Sequence, residues 1–240
     1  MPDPSQKLAE VVSQQIEANI IDSGWPLGEV IGSEADLLAT HGVSRAVLRE
    51  AIRLLEHHGV AAMKRGPGGG LVVTEPDSDA VVRAAAVFLR YRQVEPAQLF
   101  DARIALELAA VREAAERIDE AGIARLRAAL EHEAELRGGE VDARSHDFHV
   151  VVAELSGNPA LHLFVEVLTR MSVAGFMGTG AIFDRKAARR KSSAAEVAEV
   201  HAVHEAIAEA IIAGDASLAQ HRTQRHLNAL ASALEADRKK

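Results

Sequence analysis

Between residues 33 and 59 the chain is punctuated more tightly than anywhere else. Ser33-Glu34-Ala35-Asp36 has the layout of a helix N-cap with an acidic third position, and a short helix is expected to run to about Thr40. Gly42 makes a turn, and Ser44 caps a second, longer helix reaching about His58. Val47, Leu48, Ala51, Ile52, Leu54 and Leu55 supply the buried side of that helix, and Gly59 ends it. Short capped helix, glycine turn, capped helix is the pattern of a helix-turn-helix. Before it, residues 5–22 read as a helix with Leu8, Val11, Val12, Ile16 and Ile20 on one face, broken by Gly24-Trp25-Pro26-Leu27-Gly28. After it, Val60–Lys64 and Leu71–Thr74 are two β-prone segments around Arg65-Gly66-Pro67-Gly68-Gly69-Gly70. Together they predict a hairpin wing. The glycine run is not read as a nucleotide loop, because a strand rather than a helix follows it and no Lys-Ser/Thr or GxGxxG spacing is present.

Glu75-Pro76-Asp77-Ser78 marks a boundary, and beyond it the patterning is helical throughout. The spacing predicts helices over 77–91, 96–118, 120–137, 140–156, 159–177, 193–213 and 215–237. The stretch 184–191 is basic and reads either as a loop or as part of a longer helix. Aromatic residues make up 3% of the chain, which favours packed helices over a β-sandwich. The expected fold is therefore mainly α: an N-terminal winged helix-turn-helix with a small β-hairpin wing (1–75), a linker and connecting helix (76–97), and a C-terminal all-α antiparallel helical bundle (98–240).

Composition removes several functions. With no cysteine, disulfide frameworks, thiolate zinc fingers, iron–sulfur clusters and thiol catalysis are excluded. No apolar run approaches the ~20 residues of a membrane span. The N-terminal MPDPSQKLAE lacks the basic-then-apolar layout of a secretion signal, so the expected location is cytoplasmic, with no membrane partner. A net charge of −8 argues against nucleic acid until it is divided along the chain. Five of the six cations in residues 1–75 lie between 45 and 65, where only Glu50 and Glu56 oppose them.

Those cations fall where a groove would be met. A helix in the major groove reads base edges mainly with its first turns, and Arg meets guanine O6 and N7 together. Arg45 and Arg49 are four apart on one helix face, and Arg53 extends the stripe or pairs with Glu50 or Glu56. Ser44 offers a phosphate its hydroxyl or the helix N-terminal amides. Lys64 and Arg65 flank the wing tip, where Gly66 lets backbone approach DNA. Ser33 and Val47 complete the candidate DNA-binding set. Two blander readings compete: a solvated charged face on an amphipathic helix, and a winged helix that binds protein.

Residues of about 10–74 resemble the winged-helix domain of the GntR superfamily of transcription regulators. The residues carrying the resemblance are Gly32-Ser33-Glu34-x-x-Leu37, Gly42-Val43-Ser44-Arg45-x-x-Leu48-Arg49-Glu50-Ala51-x-x-x-Leu55, Gly59-Val60 and the glycine wing. It implies dimeric binding to a pseudo-palindromic double-stranded DNA operator, with Arg45 and Arg49 reading bases and Gly66 contacting DNA. Members commonly carry Arg where this chain has Ala35, and Pro where it has Gly32.

Residues of about 98–232 are similar to the FCD effector domain of the FadR-type subgroup. The matching pieces are Leu99-Phe100-Asp101-x-Arg103-x-x-x-Glu107, Phe148-His149, Ser156-Gly157-Asn158-Pro159, His204-Glu205-x-Ile207-x-x-Ala210-x-x-x-Gly214-Asp215 and His226-Leu227. The resemblance implies a divalent metal, such as Zn, Ni or Mn, held by His149, His204 and His226. At the position where the family supplies an Asp ligand this chain has Ser145, a weaker donor. Asp147 lies about 160° further round the helix, whereas His146, three before His149, and His201, three before His204, are possible substitutes. Two readings stand: a His-rich metal site, or a pocket that works without metal.

The resemblance also implies a small-molecule carboxylate or acyl effector, including fatty-acid types, with Arg103, Glu107, Asn158 and Arg170 as effector-binding candidates. A buried Arg needs an anion, and a bidentate carboxylate suits it. For Arg103 an ion pair to Glu107, one turn away, stands equally beside that role. The expected function is a ligand-responsive regulator, a repressor acting as a homodimer. The alternative is a metal-dependent enzyme using the His cluster, although no HExxH, nucleophile elbow or cofactor fingerprint is present.

Overall fold

A computed structural model describes residues 4–66, 68–135, 147–173 and 194–238 of the chain. The elements run α1 (Pro4–Asp22), β1 (Val30–Gly32), α2 (Glu34–His41), α3 (Arg45–His58), β2 (Ala61–Lys64), β3 (Gly70–Val73), α4 (Asp79–Tyr91), α5 (Pro96–Arg117), α6 (Glu120–Glu135), α7 (Asp147–Leu155), α8 (Pro159–Val173), α9 (Ala194–Ile212) and α10 (Ala216–Arg238). The chain divides into two compact units, residues 1–80 and 81–240.

In the first unit, both helices of the turn begin at a capping serine. Asp36 N donates to Ser33 Oγ at 3.2 Å while Ser33 N donates back to the Asp36 carboxylate at 3.0 Å, closing a capping box on α2. Val47 N donates to Ser44 Oγ at 3.3 Å at the start of α3. Gly42 sits at φ 62°, ψ 31°, a left-handed conformation costing an L-residue with a Cβ about 1–2 kcal/mol. Its N–H donates to Leu38 O, ending α2 and redirecting the chain into α3. Leu48, Ala51 and Leu55 of α3 are fully buried against Ala9, Val12, Ile16 and Ile20 of α1.

Two details differ from the sequence reading. Leu8 and Val11 are 45% and 42% exposed, because the buried stripe of α1 runs through Ala9, Val12, Ile16 and Ile20 instead. The wing is also more than a hairpin: β1 joins it, giving a three-stranded antiparallel sheet ordered β1-β3-β2. β3 pairs Leu71 with Met63 and Val72 with Ala62 on one side, and Val72 with Val30 on the other. A Cβ on Gly70 would stand 2.5 Å from Gly32 O, so the close approach of β1 to β3 requires glycine there.

The second unit is an all-α bundle around α5, which packs on α7, α8, α9 and α10. Connections as short as 118–119, 156–158 and 213–215 turn successive helices back on one another. α4 joins this unit through Val82 and Ala86, buried with Leu99, Val167 and Met171. Another cluster gathers Val111, Ala114, Leu126, Phe148, Ile207 and Ile211. The parts of the expected helices at 136–137, 140–146, 174–177 and 193, the Gly138-Gly139 break and the basic stretch 184–191 lie outside the described residues.

The chain's single Trp, Trp25, donates from Nε1 to Thr74 O at 3.0 Å in the first unit, so its emission reports that unit. Gly42→Ala is expected to lower the first unit's unfolding free energy by about 1–2 kcal/mol, read as an earlier urea midpoint in Trp25 fluorescence. An unchanged midpoint would show that the turn does not depend on the left-handed residue.

Candidate functional site

On the first unit, the cap and the packing of α3 decide which of its side chains face outward. Burying Leu48, Ala51, Ile52 and Leu55 leaves Arg45, Arg49 and Arg53 exposed along the opposite side. Arg53 donates to Glu50 at 3.1 Å with its side chain 66% exposed, an ion pair of the weak, solvent-screened kind. Lys64 closes β2, and Lys64, Arg65 and Gly66 are exposed. Ser44 is exposed at the N-terminus of α3. Val47 is only 8% exposed and packs in the core, so its side chain supports the face from beneath. Ser33 spends its hydroxyl on Asp36, donating to that carboxylate at 2.6 Å, and these hydrogen bonds lower the Asp36 pKa.

In the second unit, α7, α9 and α10 bring His149, His204 and His226 together, all three buried. His204 Nε2 lies 3.1 Å from His226 Nε2, which lies 3.3 Å from His149 Nε2. Nitrogens about 2.1 Å from a tetrahedral ion would stand ~3.4 Å apart, so the observed edges are close to those of a three-histidine face around zinc. The outer nitrogens are held by carboxylates: His149 Nδ1 is 2.7 Å from Glu107 and His204 Nδ1 is 2.8 Å from Glu133. A carboxylate accepting at Nδ1 leaves the Nε2 lone pair aimed at the centre of the triad, as metal-binding imidazoles require.

The electrostatics agree with this geometry. Burial and the neighbouring His149 and His204 push the His226 pKa down to about 2. Burial also lowers His204, against the upward pull of Glu133. Both imidazoles are therefore neutral near pH 7, the state that ligates metal. Burial alone would raise Glu107, but the Arg103 guanidinium and His149 more than offset it and hold the carboxyl well below its usual range. Glu133 is likewise lowered on balance, by hydrogen bonds from His204 and His201 working against burial. The described donor set fits a divalent metal through three histidines. Ser145 and His146, the candidate fourth ligands, lie outside the described residues. His201 is not one of the triad: its Nδ1 lies 3.0 Å from the second oxygen of Glu133.

Arg103 extends the network. Its side chain is 1% exposed, and Nε donates to Glu107 Oε1 at 2.5 Å, so Glu107 bridges Arg103 and His149. Arg103 Nη2 is buried with no hydrogen-bond partner among the described residues, and so is Thr223 Oγ1. Beside the triad lies a cavity of ≈ 10 Å³, room for about one water, lined by Glu107, Phe148, His149 and Thr223 among others. Phe148 stacks on His204 with ring centroids 4.4 Å apart. Of the other effector candidates, Asn158 uses Oδ1 to accept from Ala160 N and Leu161 N at the start of α8. Arg170 pairs with Glu166 at 3.5 Å on the same helix. Glu133 and Thr223 escaped the sequence reading, since a glutamate on an amphipathic helix and a lone threonine carry no local mark of burial.

Comparison with known proteins reproduces this two-part division. Residues 8–72 match the family described as bacterial regulatory proteins, gntR family. Residues 98–229, more than half the chain, match the FCD domain. The HTH-type transcriptional repressor NanR of Citrobacter rodentium is 28% identical over 236 residues, covering 96% of this chain and 86% of that protein. The protein of the same name from Salmonella newport is 31% identical over 170 residues, covering 68% of this chain and 65% of its own length. The solved structure of Streptococcus agalactiae GntR shares the fold at 17% identity, with a TM-score of 0.63 over 93% of this chain and 99% of that one.

Zinc added to the chelator-treated chain is expected to raise its melting temperature, and His226→Ala to abolish the rise. Glu133→Gln is expected to weaken zinc binding by about 10- to 100-fold, measured by competition with a chromophoric chelator. Unchanged zinc affinity in both variants would remove the triad as the metal centre.

Proposed function

The chain belongs to the GntR family of bacterial regulatory proteins and carries an FCD domain, and from that premise we propose that it is a homodimeric repressor released from its operator by a small carboxylate. That it is a DNA-binding transcription regulator, and not an enzyme, follows from the family and the relatives. The FCD match supports the FadR-type subgroup. The sense of regulation rests on the relatives, which are named repressors.

The observation that carries the DNA assignment is the exposed Arg45–Arg49 face of α3, opposite a fully buried one. Two such helices related by a two-fold axis would meet successive major grooves about 34 Å apart, hence a pseudo-palindromic operator. Arg45 and Arg49 would read bases. Ser44, Lys64, Arg65 and Gly66 would hold phosphates, and the exposed Arg53 would add charge. In operator-binding assays Arg49→Ala is expected to cost about 1–3 kcal/mol, roughly 5- to 150-fold in affinity. Arg53→Ala is expected to cost less and mainly to flatten the salt dependence. Undiminished binding by Arg49→Ala would remove the recognition assignment.

For the effector, support comes from Nη2 of Arg103, buried without a hydrogen-bond partner among the described residues and beside a carboxylate already paired to His149. An incoming carboxylate would satisfy that nitrogen, while Thr223 offers a hydroxyl from the cavity wall. Bound at the triad, a divalent metal would supply a Lewis-acidic position for a carboxylate oxygen. Because the cavity between the described residues holds about one water, an organic acid must part the helices to enter, and that displacement is what would bias the DNA-binding state. Arg103→Lys retains the charge Glu107 requires and loses the planar fork. It is expected to abolish effector-induced release from operator DNA while effector-free binding stays at the native level. Release that persists in this variant would exclude Arg103 as the carboxylate's partner.

A further inference from the structure

Thr223 is 3% exposed, yet its Oγ1 is buried without a hydrogen-bond partner among the described residues. A helical hydroxyl ordinarily donates to the carbonyl one turn back. In the same bundle Ser172 does so to Leu168 O at 2.7 Å, and Ser232 to Asn228 O at 3.0 Å. Leaving a buried hydroxyl unpaired costs free energy that a ligand can recover. Thr223 lies one turn before His226 on α10, and it lines the cavity beside the triad together with Glu107.

That cavity of ≈ 10 Å³ has the size of one water, and so also of one hydroxyl or ammonium group. Its polar edge suits a donor. The two oxygens of Glu107 each meet one protein group, Arg103 Nε and His149 Nδ1, and a carboxylate oxygen can accept a second hydrogen bond. A carboxylate placed in this space would face the Glu107 anion, whereas an O–H or N–H would find Glu107 as acceptor and Thr223 as a further partner. Val111, Phe148, Val152 and Ile207 wall the rest and offer nothing to additional hydroxyls.

We propose that the effector is a carboxylate with a single hydrogen-bond donor, hydroxyl or ammonium, on the carbon next to the carboxylate and with an apolar remainder, and that Thr223 reads that donor. The inference deepens the carboxylate reading above and rests on it. Arg103 is bonded to the same Glu107, so a carboxylate taken up at Arg103 Nη2 brings the substituents of its neighbouring carbon to the wall that Glu107 shares with Thr223. The donor fills the space already present, and the rest of the molecule is what displaces the helices. An acid lacking the donor leaves Thr223 buried and unpaired, and a site built around a hydroxyl discriminates strongly against such an analogue.

The test is titration calorimetry on the full-length chain with zinc present, using 2-hydroxy-3-methylbutanoate, valine, 3-methylbutanoate and gluconate. 3-Methylbutanoate lacks the donor, and gluconate carries several hydroxyls in place of the apolar remainder. The hydroxy acid or the amino acid is expected to bind at least about 10-fold more tightly than 3-methylbutanoate or gluconate, the tighter of the two naming the donor. Thr223→Val, close in shape and without the hydroxyl, is expected to remove that advantage while 3-methylbutanoate binds as before. Thr223→Ser is expected to restore it. Acids that bind alike with and without the donor, gluconate binding as tightly, or an advantage that survives Thr223→Val overturns the assignment and leaves the carboxylate reading standing. If none of these acids binds the native chain, both fall together.

Discussion

A guanidinium 1% exposed in a helical bundle is tolerable only with an anion against it, and this constraint organises the second unit. Glu107 is that anion, one turn along α5 from Arg103. Its other oxygen meets His149 from α7, so one carboxylate satisfies a cation on its own helix and orients an imidazole on the next. Glu133 repeats the device from α6, holding His204 and His201 of α9. Each buried carboxylate thus ties two helices together by hydrogen bonds rather than by apolar contact alone. The low pKa of both carboxyls follows from those partners prevailing over burial, and the neutrality of His226 follows from burial among other imidazoles.

The first unit works by a different economy. Several of its polar groups cap helix ends, and its surface ion pairs, such as Arg53–Glu50, are solvent-exposed. Ser33 and Asp36 close on each other, Ser44 caps α3, and Gly42 turns between them. Arg45 and Arg49 are thereby carried on a helix fixed by its own cap and by the complete burial of Leu48, Ala51 and Leu55. Rigid presentation matters for a reading helix, because base-edge hydrogen bonds tolerate little displacement.

What the sequence revealed followed from how local each signal is. Caps, left-handed glycines and helical spacing act within four residues, so the helix-turn-helix and most helix boundaries in the described residues were readable. β1 was missed because Val30–Gly32 is too short to show alternation and is a strand only through β3, forty residues away. On α1 Val12, Ile16 and Ile20 are buried as read, but Leu8 and Val11 are exposed and Ala9 takes the inner position, since these residues are all apolar and only the packing of α3 chooses between them. The three histidines were named through family resemblance, whereas Glu133 became recognisable only once folding placed it within 2.8 Å of His204. For Arg103, set equally between ion pair and effector by the sequence, the structure shows the ion pair: Nε donates to Glu107, while Nη2 has no hydrogen-bond partner among the described residues.

That division of labour within one side chain bears on how such a site would switch. If Arg103 had no partner, its burial would be unsupportable; if Glu107 satisfied all of it, an arriving carboxylate would gain nothing there. With Nε engaged and Nη2 without a hydrogen-bond partner among the described residues, the bundle would be stable without ligand and would still offer an arriving carboxylate a gain. A ligand bound at Nη2 would be felt at Glu107, through Glu107 at His149, and so on α7, because these buried groups share hydrogen bonds. A regulator needs that combination: an effector whose binding energy is released only when neighbouring helices move.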